Sequence, residues 1–507
     1  MHQRPNILFL LTDEHTSNVV GFAGDPVVQT QHLDRLADQS VRFGAASCSN
    51  PACTPSRMSM LTGKETHRCA GWSNHWIIFP EHRTWPQHFA ESGYMTGLVG
   101  KMHFGGKDQL QGFGRRPYGD LRHGLGHQPD PLHMYPGYAN PESAGITEIP
   151  ESLLQDVVVT RESLALLLEH HDSSPNIPWF VCASYSRPHS PLTAPGRYIR
   201  RYLGKVPPPE IERICEDQME PYAQRFEFEL TDEQTMRARE GYYASVDFVD
   251  DCIGELLHGL EKAGMLENTI VIYTSDHGEM LGNYGCWGKG LYYESSLGVP
   301  LLIRGPDIKT GRSVPHPISL MDLYPTTCGL AGLPIPDGLD GVDFSDVLRD
   351  SGPVIPPRDF VSSVFYQYGI RIEYGKMSDD TPCAAWRCVR QQDWKYVEVE
   401  HGSALLFDLV NDPQEMTNLA EIPDHVARCQ QMRENLYQNF SWEQIHRQLK
   451  QDRQRLPEFA SGLQPSTPNQ YMLPDGRVFD AEKSLYDARW LPIPPGCSGG
   501  IIPQQFG

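Results

Sequence analysis

"NILFLLTDEH", residues 6 to 15, is the stretch on which the fold turns. Ile7 to Leu11 are all apolar, and the run then breaks without transition into Thr12, Asp13, Glu14 and His15. A continuous run of this kind, with no alternation, predicts a strand buried on both faces, as in a mostly parallel sheet covered by helices. It is shorter than the core of an export signal, and two acidic residues follow at once. The same design returns in "YMTGLVGKMHFGG" (94 to 106), "WFVCASYSRPHSP" (179 to 191) and "NTIVIYTSDHGEM" (268 to 280). In such sheets ligands gather beyond the carboxyl ends of the strands. Those ends here carry Asp13, Lys101, His103, His189, Asp276 and His277.

Helical patterns separate the strands. Residues 231 to 264 open on a Thr231/Gln234 capping-box pattern and close on Gly264, and residues 152 to 171 read in the same way. Strand and helix in alternation predict an α/β class: a large, mostly parallel sheet sandwiched by helices, over residues 1 to 350. "RDSGPVIPPRD" (349 to 359) marks a boundary. Beyond it, residues 385 to 400 and 404 to 421 predict a small antiparallel sheet with a turn at Asn411-Asp412-Pro413, followed by a helix near 423 to 440. These form a smaller α+β subdomain over 351 to 450. The stretch 451 to 507, rich in Pro, Gly and Gln, is expected to be an arm that wraps its own core or packs on a second copy in a homo-oligomer.

The chain of 507 residues has 64 acidic and 43 basic side chains, a formal net charge of −21. That field repels polyanions and argues against nucleic acid or an anionic membrane as a partner. No apolar run is long enough to span a bilayer, and the expected location is cytoplasmic. Twelve cysteines without a CxxC pair are expected to be reduced thiols packed in the core.

One cysteine stands apart. In "NPACTPSRMSMLTG" (50 to 63), Pro55 suits the first turn of a helix, which leaves Cys53 at its positive N-terminal end with Arg57 one turn on. Taken locally, this reads as a reactive or redox thiol of lowered pKa. Taken locally too, Asp276-His277-Gly278 is an ordinary strand-to-helix turn, Lys101 and Lys289 are solvated lysines, and His189 is a rigid-loop residue.

Cys-x-Pro-Ser-Arg followed by Leu-Thr-Gly resembles the signature of the type I sulfatases of the alkaline phosphatase superfamily, in which that cysteine is oxidised to Cα-formylglycine. The resemblance runs from "PNILFLLTDEH" through "LFDLVNDPQEMTNLAE", and "GKMHFGGKDQLQGF" and "TSDHGEMLGNYGCWGKGLYYE" are similar to the choline sulfatase branch. It implies an alkaline phosphatase-like fold, a formylglycine-generating or anaerobic maturing enzyme as partner, and a divalent metal held by Asp13, Asp276, His277 and residue 53. Ca²⁺ is the first choice, with Mg²⁺ or Mn²⁺ as alternatives. Glu14 stands where many relatives have a second aspartate and is a further candidate ligand. Arg57 resembles the arginine that orients the formylglycine hydrate, and Asn74, Lys101, His103, His189 and Lys289 match residues around the sulfate and the leaving oxygen.

The reaction so implied is in-line attack of the hydrated aldehyde on sulfur, with Lys101, Lys289 and Asn74 holding the sulfuryl oxygens. His189 protonates the leaving alcohol and His103 serves as the base that regenerates the aldehyde. In the region 364 to 387, Arg371, Lys376 and Arg387 suit a carboxylated or sulfated sugar better than choline, so a carbohydrate or small organic sulfate ester is the expected substrate, with Arg371 as a contact. Three alternatives stand: choline-sulfatase activity proper, a phosphonate monoester or phosphodiester hydrolase using the same site, and a metal-dependent glycan-binding protein in which Cys53 stays a thiol.

Overall fold

Residues 6 to 13 form the centre of the sheet. The computed structural model describes residues 4–74, 76–105, 108–119, 141–211, 229–349, 357–366, 372–373, 376–377, 385–459, 470–472 and 478–480. In it, Asn6–Asp13 is a strand whose residues from Ile7 onward are all buried. The order across the eight-stranded sheet is 312–314, 41–43, 301–304, 269–275, 6–13, 179–188, 95–100, 115–118. Asn6–Asp13 runs parallel to both neighbours, Ile7 pairing with Phe180 on one side and Ile270 on the other. Met95–Gly100 is parallel to Trp179–Pro188 in turn. Within the sheet, Leu301–Arg304 opposes the direction of its two neighbours. Five adjacent strands, from Thr269–Ser275 to Arg115–Tyr118, are therefore parallel, and at about 4.8 Å per strand the ends of the first four span about 14 Å along one edge.

Successive side chains point to opposite faces, so each face of the central strand has its own core. Leu8 and Leu10, with Val181 and Val271, meet Val159 and Leu167 of helix Gln155–Ser173 and Val246, Val249 and Leu256 of helix Asp232–Lys262. Phe9 and Leu11, with Phe180 and Ile272, meet Met60, Trp85, Phe89 and Leu323 on the other side. The capping box expected at Thr231 and Gln234 is complete, each side chain bonding the other residue's backbone N–H.

The C-terminal subdomain is a four-stranded antiparallel meander, Val361–Phe365, Trp386–Gln391, Trp394–Val399 and Ala404–Asp408. Helix Val426–Leu436 covers one face through Met432 and Leu436, while Trp386, Cys388, Val397 and Phe407 on the other face join the core of the large sheet. A second helix, Trp442–Phe459, runs straight through residue 451, where composition suggested the start of an arm. Ile445, Leu449 and Leu456 recur at spacings of four and seven and are buried, and the Trp72 indole N–H donates to Asp452 at 2.9 Å. Most of residues 451 to 507 lies outside the described residues. The nine described cysteines are free thiols. Among the described residues, no helix is long and apolar enough to cross a membrane.

Candidate active site

The parallel edge brings the expected residues together. Helix Cys53–Thr62, whose residues are all buried, starts at Cys53 with Ala52 in extended geometry before it, and closes at Gly63 with φ of +64°. Its N-terminal dipole points at the sheet edge and favours negative charge at the γ-atom of residue 53. Thr54 N–H donates to Asn74 Oδ1 at 3.0 Å and Thr54 Oγ1 to the His103 carbonyl at 2.9 Å, which docks both loops onto the helix start. Asn74 thus spends its side-chain carbonyl as a structural acceptor.

Cys53 Sγ lies 3.2 Å from His277 Nε2 and 3.9 Å from Asp13 Oδ1. Asp13 and Asp276, both fully buried, are bridged by one guanidinium: Arg57 Nη2 donates to Asp13 Oδ2 at 2.9 Å and Nε to Asp276 Oδ2 at 2.8 Å. Arg57 Nη1 donates to the Lys101 carbonyl at 2.6 Å and to Ser184 Oγ at 3.2 Å. Ser56 Oγ donates to the Asp276 carbonyl at 2.6 Å. Lys101 Nζ reaches Asp13 Oδ2 at 2.5 Å. Burial and Cys53 push the Asp13 carboxyl up, but Lys101, His189 and Arg57 outweigh them and hold it below the usual carboxylate range.

With one oxygen of each aspartate held by Arg57, the other two face the thiol and the imidazole. Donor atoms of Asp13, Cys53, Asp276 and His277 all fall within 4.8 Å of one another, every residue buried. His277 Nδ1 lies 3.0 Å from the Gly278 carbonyl, so Nδ1 carries the hydrogen and Nε2 is turned to the cluster. Two carboxylates, an imidazole nitrogen and the residue-53 atom are a chemically sound donor set for a divalent cation. Glu14 is outside this set. Its backbone has φ of +66°, Tyr242 OH donates to its carbonyl at 2.7 Å, and its Oε2 meets Lys289 Nζ at 3.2 Å and His189 Nε2 at 3.4 Å.

The electrostatics favour an anion at residue 53. Burial pushes the Cys53 thiol up, yet Lys289, Lys101 and His277, with a hydrogen bond from His103, bring it well below its ordinary value. Burial alone would lower His277, but Asp276 and Cys53 raise it to about 9. Burial, Lys101 and Lys289 push His189 down to about 3. His189 Nδ1 lies 2.7 Å from the Ser190 carbonyl and must carry the hydrogen, so the neutral ring presents Nε2 as an acceptor, 4.0 Å from Asp13 Oδ1.

Of the residues expected around the substrate, Lys101, His103, His189 and Lys289 are in this assembly, whereas Arg371 lies outside the described residues. Arg387 is a correction. It is 1% exposed, paired to both oxygens of Glu65 at 2.9 and 3.0 Å and stacked 4.1 Å from the Phe440 ring centroid, so it ties the subdomain to the large domain and has no access to a substrate. An antiparallel strand sends alternate residues to opposite faces, and Arg387 falls on the face turned toward Phe440. Sequence reasoning passed over Ser56, Ser184, Tyr242 and Glu279. Two of these had a visible signal: Ser56 is the serine of the Cys-x-Pro-Ser-Arg pattern, and Glu279 stands two residues after His277.

The sulfatase family model matches residues 5–333, and a second model, described as N-sulphoglucosamine sulphohydrolase, C-terminal, matches residues 282–443. The chain is 32% identical over 447 residues to a choline-sulfatase of Rhizobium meliloti, covering 83% of each chain. It is 30% identical over 435 residues to an ulvan-active sulfatase of Formosa agariphila, covering 83% of this chain and 78% of that one. Its fold is similar to that of a phosphonate monoester hydrolase of Agrobacterium radiobacter, with a TM-score of 0.71 at 23% identity, covering 88% of this chain and 96% of that one.

Proposed function

The chain belongs to the sulfatase family of sulfuric ester hydrolases, and from that premise we propose that it cleaves a carbohydrate or small organic sulfate ester to alcohol and inorganic sulfate, with residue 53 matured to formylglycine as the nucleophile. The observation that carries the reading is the convergence of Asp13, Asp276 and His277 on the γ-atom of residue 53, at a place where the surrounding cations favour negative charge. Asp13, Asp276, His277 and residue 53 would hold a divalent metal, which, bound beside a hydrated aldehyde at 53, would lower the pKa of its hydroxyl toward neutrality.

The remaining chemistry falls to the chain's own side chains. Arg57 fixes both aspartates through their far oxygens, so the near oxygens keep a constant spacing. Lys101 and Lys289 supply fixed positive charge for sulfuryl oxygens where water is largely excluded, the arrangement that gives electrostatic stabilisation its weight. His103 is hydrogen-bonded to residue 53 and is the base for its second hydroxyl. His189 presents Nε2 beside Glu14 and Asp13, and a proton taken up at that atom goes to the leaving alcohol. Burial together with Lys101 and Lys289 holds His189 neutral, and the negative charge of an arriving sulfate offsets the lysines.

The choice of a sugar or small organic sulfate over choline now rests on Arg371 and Lys376, since Arg387 is committed to Glu65. The test has two steps. Mass spectrometry of the 50 to 64 peptide from a native source is expected to show sulfur exchanged for oxygen and two hydrogens lost at position 53, the mass of the aldehyde and not of serine. Turnover is then screened on choline sulfate and on sulfated mono- and disaccharides, with Cys53→Ala as control. Fast, saturable hydrolysis of choline sulfate would overturn the sugar preference, and undiminished turnover by Cys53→Ala would overturn the mechanism.

A further inference from the structure

Lys289 stands on neither a strand nor a helix. It lies between Gly288 and Gly290, with φ of +78° and +102°, and glycines leave the backbone on both sides few restraints of its own. The restraints come from outside. On the upstream side, buried Glu279 accepts the Gly288 N–H at 2.6 Å and the Leu281 N–H at 3.1 Å through Oε1, and Met280 N–H donates to the Gly288 carbonyl at 2.9 Å. The same carboxyl hydrogen-bonds Glu14, which accepts from the Lys289 ammonium. On the downstream side, Gly290 N–H donates to Ser296 Oγ at 3.2 Å, and the Gly290 carbonyl accepts the Trp386 indole N–H at 3.0 Å.

Trp386 belongs to the C-terminal sheet. Its ring is fully buried, edge-on to Tyr292 at 5.9 Å, and Lys395 on the adjacent strand donates to the Tyr292 carbonyl at 2.6 Å. The subdomain thus grips the catalytic domain one residue past Lys289, while Glu279 grips it one residue before.

We propose that Glu279 and Trp386 are positioning residues that together set the place of the Lys289 ammonium at the site. The proposal rests on the reading of Lys289 as a sulfuryl contact. A lysine side chain has four rotatable bonds, so its reach is reproducible only if its Cα is fixed, and a displacement of about 1 Å at a reacting centre costs about a hundredfold in rate.

The test is a double-mutant cycle on matured, metal-loaded enzyme with an aryl sulfate. Glu279→Met keeps the volume and removes the acceptor; it is expected to lower kcat/KM about 30-fold in the wild-type background but less than about threefold in Lys289→Ala, where nothing is left to position. Glu279→Gln keeps an oxygen for both amides and is expected to stay within about threefold of wild type. Trp386→Phe keeps one aromatic ring but loses the N–H together with the fused pyrrole of the indole, with an expected loss of about fivefold that again vanishes in Lys289→Ala. Hydrogen exchange in the 282 to 290 peptide, read on the same proteins without substrate, is expected to quicken in Glu279→Met and not in Glu279→Gln. Equal losses from Glu279→Met and Trp386→Phe in both backgrounds, with Lys289→Ala itself slow, would overturn the proposal alone. A Lys289→Ala enzyme as fast as wild type would overturn the reading of Lys289 and this proposal with it.

Discussion

Replacing Arg57 by Met tests whether one guanidinium sets the geometry of the whole site. Arg57 is 1% exposed and donates to Asp13, Asp276, the Lys101 carbonyl and Ser184. Removing one partner of a buried ion pair costs about 3–5 kcal/mol, because the other charge is left without compensation. The surroundings point to the low end of that range. Asp13 keeps Lys101 at 2.5 Å, and Asp276 keeps the backbone N–H groups of Glu14 at 3.1 Å and His277 at 3.0 Å. A loss of about 3 kcal/mol, divided by an unfolding entropy of about 1 kcal/mol/K for a chain of this length, lowers Tm by about 3 °C. The measurement is thermal melting at one scan rate on unconverted, metal-stripped protein, so neither maturation nor activity enters. Arg57→Lys keeps the charge but cannot bridge two carboxylates, and is expected to recover less than half of the loss. Adding a divalent cation should shrink the Arg57→Met deficit, since a second cation then sits between the same aspartates. An Arg57→Met protein melting within 1 °C of wild type would refute the reasoning.

Other outcomes follow from the same structure. Burial raises Glu65, but Arg387 outweighs it and brings the carboxyl down to about 2 from an ordinary 4.5. A depressed carboxyl stabilises the fold above its unfolded value, so the Glu65–Arg387 contribution is present above about pH 4.5 and is lost as pH falls toward 2. Between pH 5 and pH 3 the stability advantage of wild type over Glu65→Gln is expected to shrink by about 2 kcal/mol, read by urea denaturation; an unchanged gap would contradict the pairing. Saturating Ca²⁺ at about a hundredfold over its dissociation constant should add about 2.7 kcal/mol to the stability of wild type and almost none to Asp276→Asn, as seen in melting with and without chelator. His189→Asn should slow alkyl sulfates about 10²-fold or more and aryl sulfates much less, because only poor leaving groups need a proton. A uniform loss across leaving groups would remove His189 from that role.

The continuous apolar runs at 7–11 and 179–183, each followed at once by polar residues, were legible as strands buried on both faces, and the Thr231/Gln234 box marked a helix start that the structure reproduces. These are local patterns, in which period and capping chemistry depend on neighbours in the chain. The helix Trp442–Phe459 was hidden because its apolar positions are few and lie among Gln and Arg, so burial against Trp72 shows what composition conceals.

The sequence alone determined which chemical groups stand at the ends of the strands: Asp13, Lys101, Asp276 and His277 each follow an apolar run, and Cys53 precedes a proline that opens a helix. Tertiary structure decided how those groups share their work. It placed the Arg57 fork across two aspartates 263 positions apart in the chain, brought Glu14 to Lys289 and His189, and gave Arg387 to Glu65. Each of those outcomes depends on which side chain reaches a partner first across the fold, and that is a matter of distance between strands and loops that no local pattern records.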